Sequence, residues 1–329
     1  MIISKTPLRV SFFGGGTDFA AYYHNSKFGF GCVDSTAINK YIYITVNQKF
    51  DDLIRVCYSK NEMVDCVDKI EHNIIREALK ITGIEHGVEI IYMGDIPLAS
   101  AGIGLASSSA IAVGVLNALY AYKGQSISAE RLAREACEIE INRLGNPIGK
   151  QDQYAVSYGG FNYYQFNQDD TVFVNPIICN RDTKSRLESQ LMFFYTGITR
   201  ISSAILEEQN QNIISRSSEL DQLTQIALDA RKLLSDNDIN SWGELLDQSW
   251  QLKKKLAGRI TSPEIDFMYE RAKEAGAVGG KIVGAGGGGF LLLYVPVEKQ
   301  EMVKKALHNY RQIDMKFEMQ GSRIIYVSE

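Results

Sequence analysis

Residues 97–110, Pro97-Leu-Ala-Ser-Ala-Gly102-Ile-Gly104-Leu-Ala-Ser107-Ser108-Ser109-Ala110, decide how this chain is read. A strand-like run, Gly87–Met93, leads in, and a helical run, Ala110–Tyr122, leads out. Small side chains let a ligand lie close against the backbone. The serine triplet stands where the helix must begin, and the first N–H groups of a helix lack intrahelical partners and carry the positive end of its dipole. Strand, small-residue loop and helix start together make a corner suited to an anion, with phosphate the first candidate. A serine N-cap after a plain loop would use the same residues.

Two other phosphate-binding patterns can be tested directly. A Walker A string, G-x-x-x-x-G-K-[ST], does not occur in the chain. Gly284-x-Gly286-x-x-Gly289 matches a dinucleotide fingerprint on paper, but Phe290–Val295 after it is an apolar run with the character of a buried strand. The fingerprint works only where a helix N-terminus follows, so this match is spurious. The loop Gly284–Gly289 still has five glycines in six positions. That costs conformational entropy and points to close packing against a ligand or another backbone.

Beyond the serine helix, Ser128 is an N-cap candidate for a helix over Ala129–Leu144, stopped by Gly145-Asn146-Pro147. At about 100° per residue, Leu132, Ala133, Ala136, Cys137 and Leu144 share one face with Glu140 in their midst. A carboxylate on an apolar face needs a partner: a basic side chain, or a cation such as Mg²⁺, which takes one or two carboxylates plus phosphate oxygens. Asp152 follows in Gly149-Lys-Gln-Asp-Gln-Tyr154, between two amide side chains. It is a candidate proton acceptor for a substrate hydroxyl, or a helix-start aspartate. Near the N-terminus, Leu8-Arg9-Val-Ser-Phe-Phe13 runs into Gly14-Gly15-Gly16-Thr17-Asp18, and Arg9 puts a charge on one face of an otherwise apolar strand.

The 329 residues are 45% hydrophobic and 22% charged, with net charge −4, a globular composition with no bulk field for nucleic acid or anionic membranes. Lys253-Lys254-Lys255 reads as a solvated helix face. No apolar run reaches the ~20 residues of a membrane span. The five cysteines (32, 57, 66, 137 and 179) form no C-x-x-C pair, so reduced thiols, a cytoplasmic location and no structural zinc are expected.

Strands are expected at Ile2-Ile3, Leu8–Phe13, Tyr41–Gln48 and Val88–Met93, a helix over Asp65–Ile81, and a hairpin from Tyr158–Phe166 and Val172–Ile178. A strand Leu191–Thr196, helical runs from Ser202 to Ala257 and over Ser262–Ala275, the strand Phe290–Val295 and two short C-terminal strands follow. The class is α+β in two halves, 1–185 and 186–329.

Together these segments resemble the GHMP kinases, the family of galactokinase, homoserine kinase and mevalonate kinase. Three motifs occur in family order from Lys5 to Phe290: Leu8-Arg9 with Gly14–Asp18, the serine loop, and Gly284–Gly289. Two departures stand in the second: Ala106 replaces the usual glycine, and residues 98–103 form a longer lead-in. Lys5–Asp18, Gly149–Tyr154, Tyr158-Gly-Gly160 and Tyr195–Arg200 look like the branch that phosphorylates heptose 7-phosphate. The resemblance implies a ribosomal protein S5 domain 2-like N-terminal half and a ferredoxin-like C-terminal half. It also implies ATP-dependent phosphorylation of the anomeric hydroxyl of D-glycero-D-manno-heptose 7-phosphate, with Mg²⁺ as cofactor. Gly102, Gly104, Leu105, Ala106, Ser107, Ser108 and Ser109 would hold the ATP phosphates. Ser108 or Ser109 would join Glu140 on the metal. Asp152 would be the base, and Arg9 would hold it ionised or stabilise the transferring group. Gly15, Gly16, Thr17, Asp18, Gly286 and Gly287 would bind the sugar. Arg200, set before the helix at Ser202-Ser203, would grip the 7-phosphate. Fucose- or arabinose-type kinases and a catalytically silent sugar sensor are the competing expectations. ATP and a sugar phosphate are the expected partners, with no nucleic acid or membrane, and a homodimer is left open.

Overall fold

The computed structural model describes residues 1–96, 103–198 and 202–328. Strands β1 (Ile2–Phe13) and β2 (Phe30–Gln48) form the spine of the first sheet. Antiparallel β2 is long enough to pair with β1 on one side and, on the other, with β5 (Val88–Gly94) near one end and β6 (Phe161–Asn167) near the other. The short β3 (Ile54–Cys57) and β4 (Asn61–Val64) extend it beyond β5, and β7 (Val172–Pro176) completes the expected hairpin with β6. The second sheet has the order β11-β8-β10-β9, all antiparallel, from β8 (Leu191–Tyr195), β9 (Gly279–Ile282), β10 (Phe290–Tyr294) and β11 (Arg311–Gln312). The last strand, β12 (Arg323–Val327), returns to the first sheet beside β1.

Helices α1 (Ala20–Tyr23), α2 (Asn73–Thr82), α3 (Ser107–Tyr122), α4 (Ala129–Cys137) and α5 (Gln151–Tyr158) belong to the first half, and α6 (Arg181–Gln190) crosses into the second. The second half supplies α7 (Ser202–Asn212), α8 (Ser217–Ser235), α9 (Asn240–Lys253), α10 (Pro263–Glu274) and α11 (Gln300–Ala306). The apolar run at 290–295 is explained by β10 being buried on both faces. Phe290, Leu292 and Tyr294 enter the main core, and Leu291, Leu293 and Val295 enter a second core with Trp250, Ile265 and Tyr269. Alternation with period two thus feeds two cores at once. Trp242 of α9 packs edge-on against Phe12 and Phe13 at the end of β1, 5.2 and 5.0 Å between ring centres. The two halves therefore share the main core.

Several expected boundaries move for identifiable reasons. Ile2-Ile3 and Leu8–Phe13 are one strand, with a register break between Pro7 and Leu8 where proline has no N–H to give. β2 starts eleven residues before Tyr41, because residues 31–38 are buried throughout and show no alternation. The helix expected over 65–81 begins only at Asn73. The Glu62 carboxylate takes the N–H groups of Glu71 and His72, and the His72 ring caps Ile75.

Candidate active site

Helix α3 starts beside the end of the glycine loop. Its N-cap, Ala106, is left-handed at φ 63° and ψ 36°. That is the conformation a glycine would take, so the turn is kept despite the β-carbon, at a cost of roughly 1–2 kcal/mol. The Arg9 amide donates to Leu105 O at 3.2 Å and ties the loop to β1. A β-carbon on Gly104 would lie 2.2 Å from Val283 O, and one on Gly284 would lie 2.5 Å from Gly104 Cα. The Gly284–Gly289 loop is therefore pressed backbone to backbone on the serine loop. Gly286 and Gly287 lie against Ile260, whose carbonyl accepts the Gly287 N–H at 2.5 Å.

Glu140 lies behind the serines. The regular helix ends at Cys137, and residues Glu138–Arg143 form a π-helical segment, a wider turn that often marks functional sites. Glu140 stays fully buried despite this change of pitch. Its partners are neutral: Oε2 accepts from Ser109 Oγ at 2.7 Å and from Gln153 Nε2 at 2.6 Å. No ion pair reaches it among the described residues, and Oε1 is buried without a hydrogen bond. Burial pushes this carboxyl above its ordinary pKa, and the Ser109, Ser108 and Gln153 donors pull it partly back. An acid with one oxygen held by neutral donors and the other bare fits a cation ligand better than a structural ion pair.

Asp152 sits in the first turn of α5, 26% exposed, with Arg9 almost fully buried beside it. Arg9 Nε and Nη2 lie 2.8 and 2.7 Å from Asp152 Oδ1, while Nη1 donates to Gly104 O at 2.6 Å. One guanidinium thus fixes the carboxylate and the serine loop together. Asp152 Oδ2 takes no hydrogen bond among the described residues. Asp18 is buried against the N-terminus of α5. Its oxygens accept from Gly16 N–H, Gln151 N–H and Gln151 Nε2. Burial first, and the Asp152 charge second, raise its pKa, opposed by the Gln151 and Gly16 donors. Gly149 permits this contact, because a β-carbon there would fall 2.0 Å from Asp18 Oδ2. Thr17 is occupied within the turn: its hydroxyl contacts Gly14 O and Cys32 O, and takes the Cys32 N–H.

Arg9, Gly104, Asp152, Asp18, Glu140 and the serines therefore stand together, with Gly15 and Gly16 on the same turn as Asp18. Gly102 and Arg200 fall outside the described residues. Gln151 and Gln153, quoted in the sequence only as neighbours of Asp152, orient the two buried acids. The spacing of 151, 153 and 140 carries no periodicity that would reveal this. The Lys253–Lys255 run is corrected: Lys255 is exposed, but Lys253 is only 5% exposed.

This fold and site define a phosphotransferase architecture, and family models agree. The model for the GHMP kinases N terminal domain matches residues 58–160, and that for the GHMP kinases C terminal matches 230–312. The chain belongs to the GHMP kinases. The D-glycero-alpha-D-manno-heptose 7-phosphate kinase of Campylobacter jejuni is 30% identical over 322 residues, covering 92% of each chain. A galactokinase of Pyrococcus furiosus is 27% identical over 349 residues, covering 93% of this chain and 92% of that one. Among solved structures, a D-glycero-D-manno-heptose 1-phosphate kinase from Bacteroides thetaiotaomicron superposes with TM-score 0.81 over the whole of both chains at 26% identity. A sugar kinase of the GHMP family is the activity these relatives support. No helix among the described residues is long and apolar enough to cross a membrane.

Proposed function

We propose that this enzyme transfers the γ-phosphate of ATP to the anomeric hydroxyl of D-glycero-D-manno-heptose 7-phosphate, giving the 1,7-bisphosphate used for nucleotide-activated heptose and surface polysaccharide. The observation that carries the mechanism is the Arg9 guanidinium, shared between Asp152 and the Gly104 carbonyl. It places a fixed carboxylate beside a loop built for phosphates. The α3 N-terminus and the Ser107–Ser109 hydroxyls hold the ATP phosphates. Arg9 occupies Oδ1 of Asp152, which leaves Oδ2 to accept the proton of the sugar O1 hydroxyl as that oxygen attacks the γ-phosphorus in line. Glu140 Oε1, with a neighbouring serine hydroxyl, would hold Mg²⁺. The ion, when bound, neutralises charge on the phosphates. Asp18, Gly15 and Gly16 line the sugar side of the base, and Arg200 is assigned to the substrate phosphate.

The acceptor is taken from the heptose 7-phosphate kinase relative. A screen for ADP release over heptose 7-phosphate, heptose 1-phosphate, L-fucose, L-arabinose, galactose and mevalonate tests it. Heptose 7-phosphate should give the highest kcat/KM, with phosphate appearing on C1. Preference for a neutral sugar, or for the 1-phosphate named for the Bacteroides structure, would refute the assignment. No turnover of any sugar would favour a sensor.

A further inference from the structure

The first turn of α5 sends three consecutive side chains to three different elements. Gln151 Nε2 donates to Asp18 Oδ1 at 2.9 Å, Asp152 takes Arg9, and Gln153 Nε2 donates to Glu140 Oε2 at 2.6 Å. At about 100° per residue, neighbouring side chains of one turn thus reach the Gly14–Asp18 turn, β1 and the π-helical segment in succession. The turn that carries the candidate base also grips the candidate metal carboxylate.

Gln153 is fully buried, and its side chain makes no hydrogen bond among the described residues except the one to Glu140; its Oε1 has no partner. As packing alone this is a poor choice, because a buried amide with an unmet acceptor costs more than an apolar side chain of the same size. The chemistry suits the neighbour instead. Gln153 Nε2 and Ser109 Oγ meet on the same oxygen, Glu140 Oε2, and Oε1 is left bare. Ser109 is itself a candidate metal ligand, whereas a side-chain amide nitrogen can only donate. A lysine or arginine in this place would pair with the carboxylate and cancel its charge. A neutral amide fixes the carboxylate and leaves its charge for a cation.

We propose that Gln153 is a positioning residue for the cation: it turns the Glu140 carboxylate so that Oε1 faces the metal of the bound nucleotide, and part of the Mg²⁺-dependent affinity for ATP runs through its amide. This rests on Glu140 being the metal ligand, as read above.

The test is the affinity for a non-hydrolysable ATP analogue, measured by calorimetry with Mg²⁺ in excess and again with a chelator. The ratio of the two dissociation constants reads the part of binding that depends on metal, without any turnover. Wild type, Gln153→Met and Glu140→Gln are compared; Met keeps the volume and shape of the buried side chain without the donor. The ratio should fall by about tenfold in Gln153→Met, the lower end for hydrogen-bond partners of metal ligands, with the metal-free affinity unchanged. Glu140→Gln should lose at least as much. A collapse in Glu140→Gln beside an unchanged ratio in Gln153→Met would overturn the positioning role and leave the metal assignment standing. Unchanged ratios in both variants would overturn the two together. Equal losses with and without Mg²⁺ in Gln153→Met would make Gln153 a brace between α3 and α5 and refute the proposal. Should Gln153→Met not fold, Gln153→Asn keeps an amide but shortens its reach by one methylene. The ratio should then fall by a few-fold, and an unchanged value there refutes the proposal.

Discussion

The shared guanidinium of Arg9 makes a quantitative prediction about how two residues depend on each other. Asp152→Asn keeps the side-chain shape but removes the proton acceptor, and general bases contribute roughly 10²–10⁴ in rate. Arg9→Met removes both contacts to Asp152 Oδ1 and the 2.6 Å bond to Gly104 O. Hydrogen bonds to charged groups contribute about 1.5–3 kcal/mol each. Asp152 is 26% exposed, so water recovers part of its loss; the Gly104 carbonyl sits in a tighter place. A net transition-state loss of about 2–4 kcal/mol follows, or roughly 30-fold to 10³-fold in kcat. If Arg9 acts by holding Asp152, the double variant should fall within about threefold of the worse single variant, as residues acting as a unit do. If Arg9 instead stabilises the transferring phosphoryl group independently, the losses should multiply to roughly 10³–10⁷. Single-turnover ADP release at saturating ATP and sugar measures both singles and the double. Multiplicative losses would refute the positioning role for Arg9.

Glu140→Gln should fold normally and show its defect in metal use, because an amide is a poor ligand for a hard cation. The apparent Mg²⁺ requirement should rise by about tenfold; an unchanged Mg²⁺ titration would return Glu140 to a purely structural part. Gly284→Ala, whose β-carbon would sit 2.5 Å from Gly104 Cα, should raise KM for ATP by about tenfold or more. Gly83→Ala shares a left-handed φ, with open space around it, and should lose only roughly 1 kcal/mol of stability in a denaturant titration, leaving KM for ATP alone. Arg200→Ala should raise KM for the phosphorylated heptose by about tenfold without changing KM for ATP; equal KM values would remove Arg200 from the phosphate site.

What the sequence discloses here follows the range over which each interaction acts. Glu140 was legible because one charge on an apolar face conflicts with local patterning, and such a conflict survives even the change from α to π pitch after Cys137. Arg9 announced itself in the same way on β1. The glycine cluster at 284–289 was readable as a close approach, but its target was not. The approach is to Ile103 and Gly104, some 180 residues away, and only the fold brings the two backbones together. Lys253 shows the opposite failure. Within three consecutive lysines local composition points to solvent, yet the last turn of α9 buries the first of them against Gly15 and leaves the third exposed. Gln209 and Lys281, both buried, carry no local signal, since an amide in a polar helix and a lysine between glycine and isoleucine conflict with nothing nearby. Their cost arises only when α7, β9 and the Gly14–Asp18 turn meet at the shared core of the two halves. Charged groups that violate the pattern of their own element can therefore be found in one sequence. Lys281 and Gln209 sit in ordinary local settings, and only assembly of the fold imposes the cost of burying them.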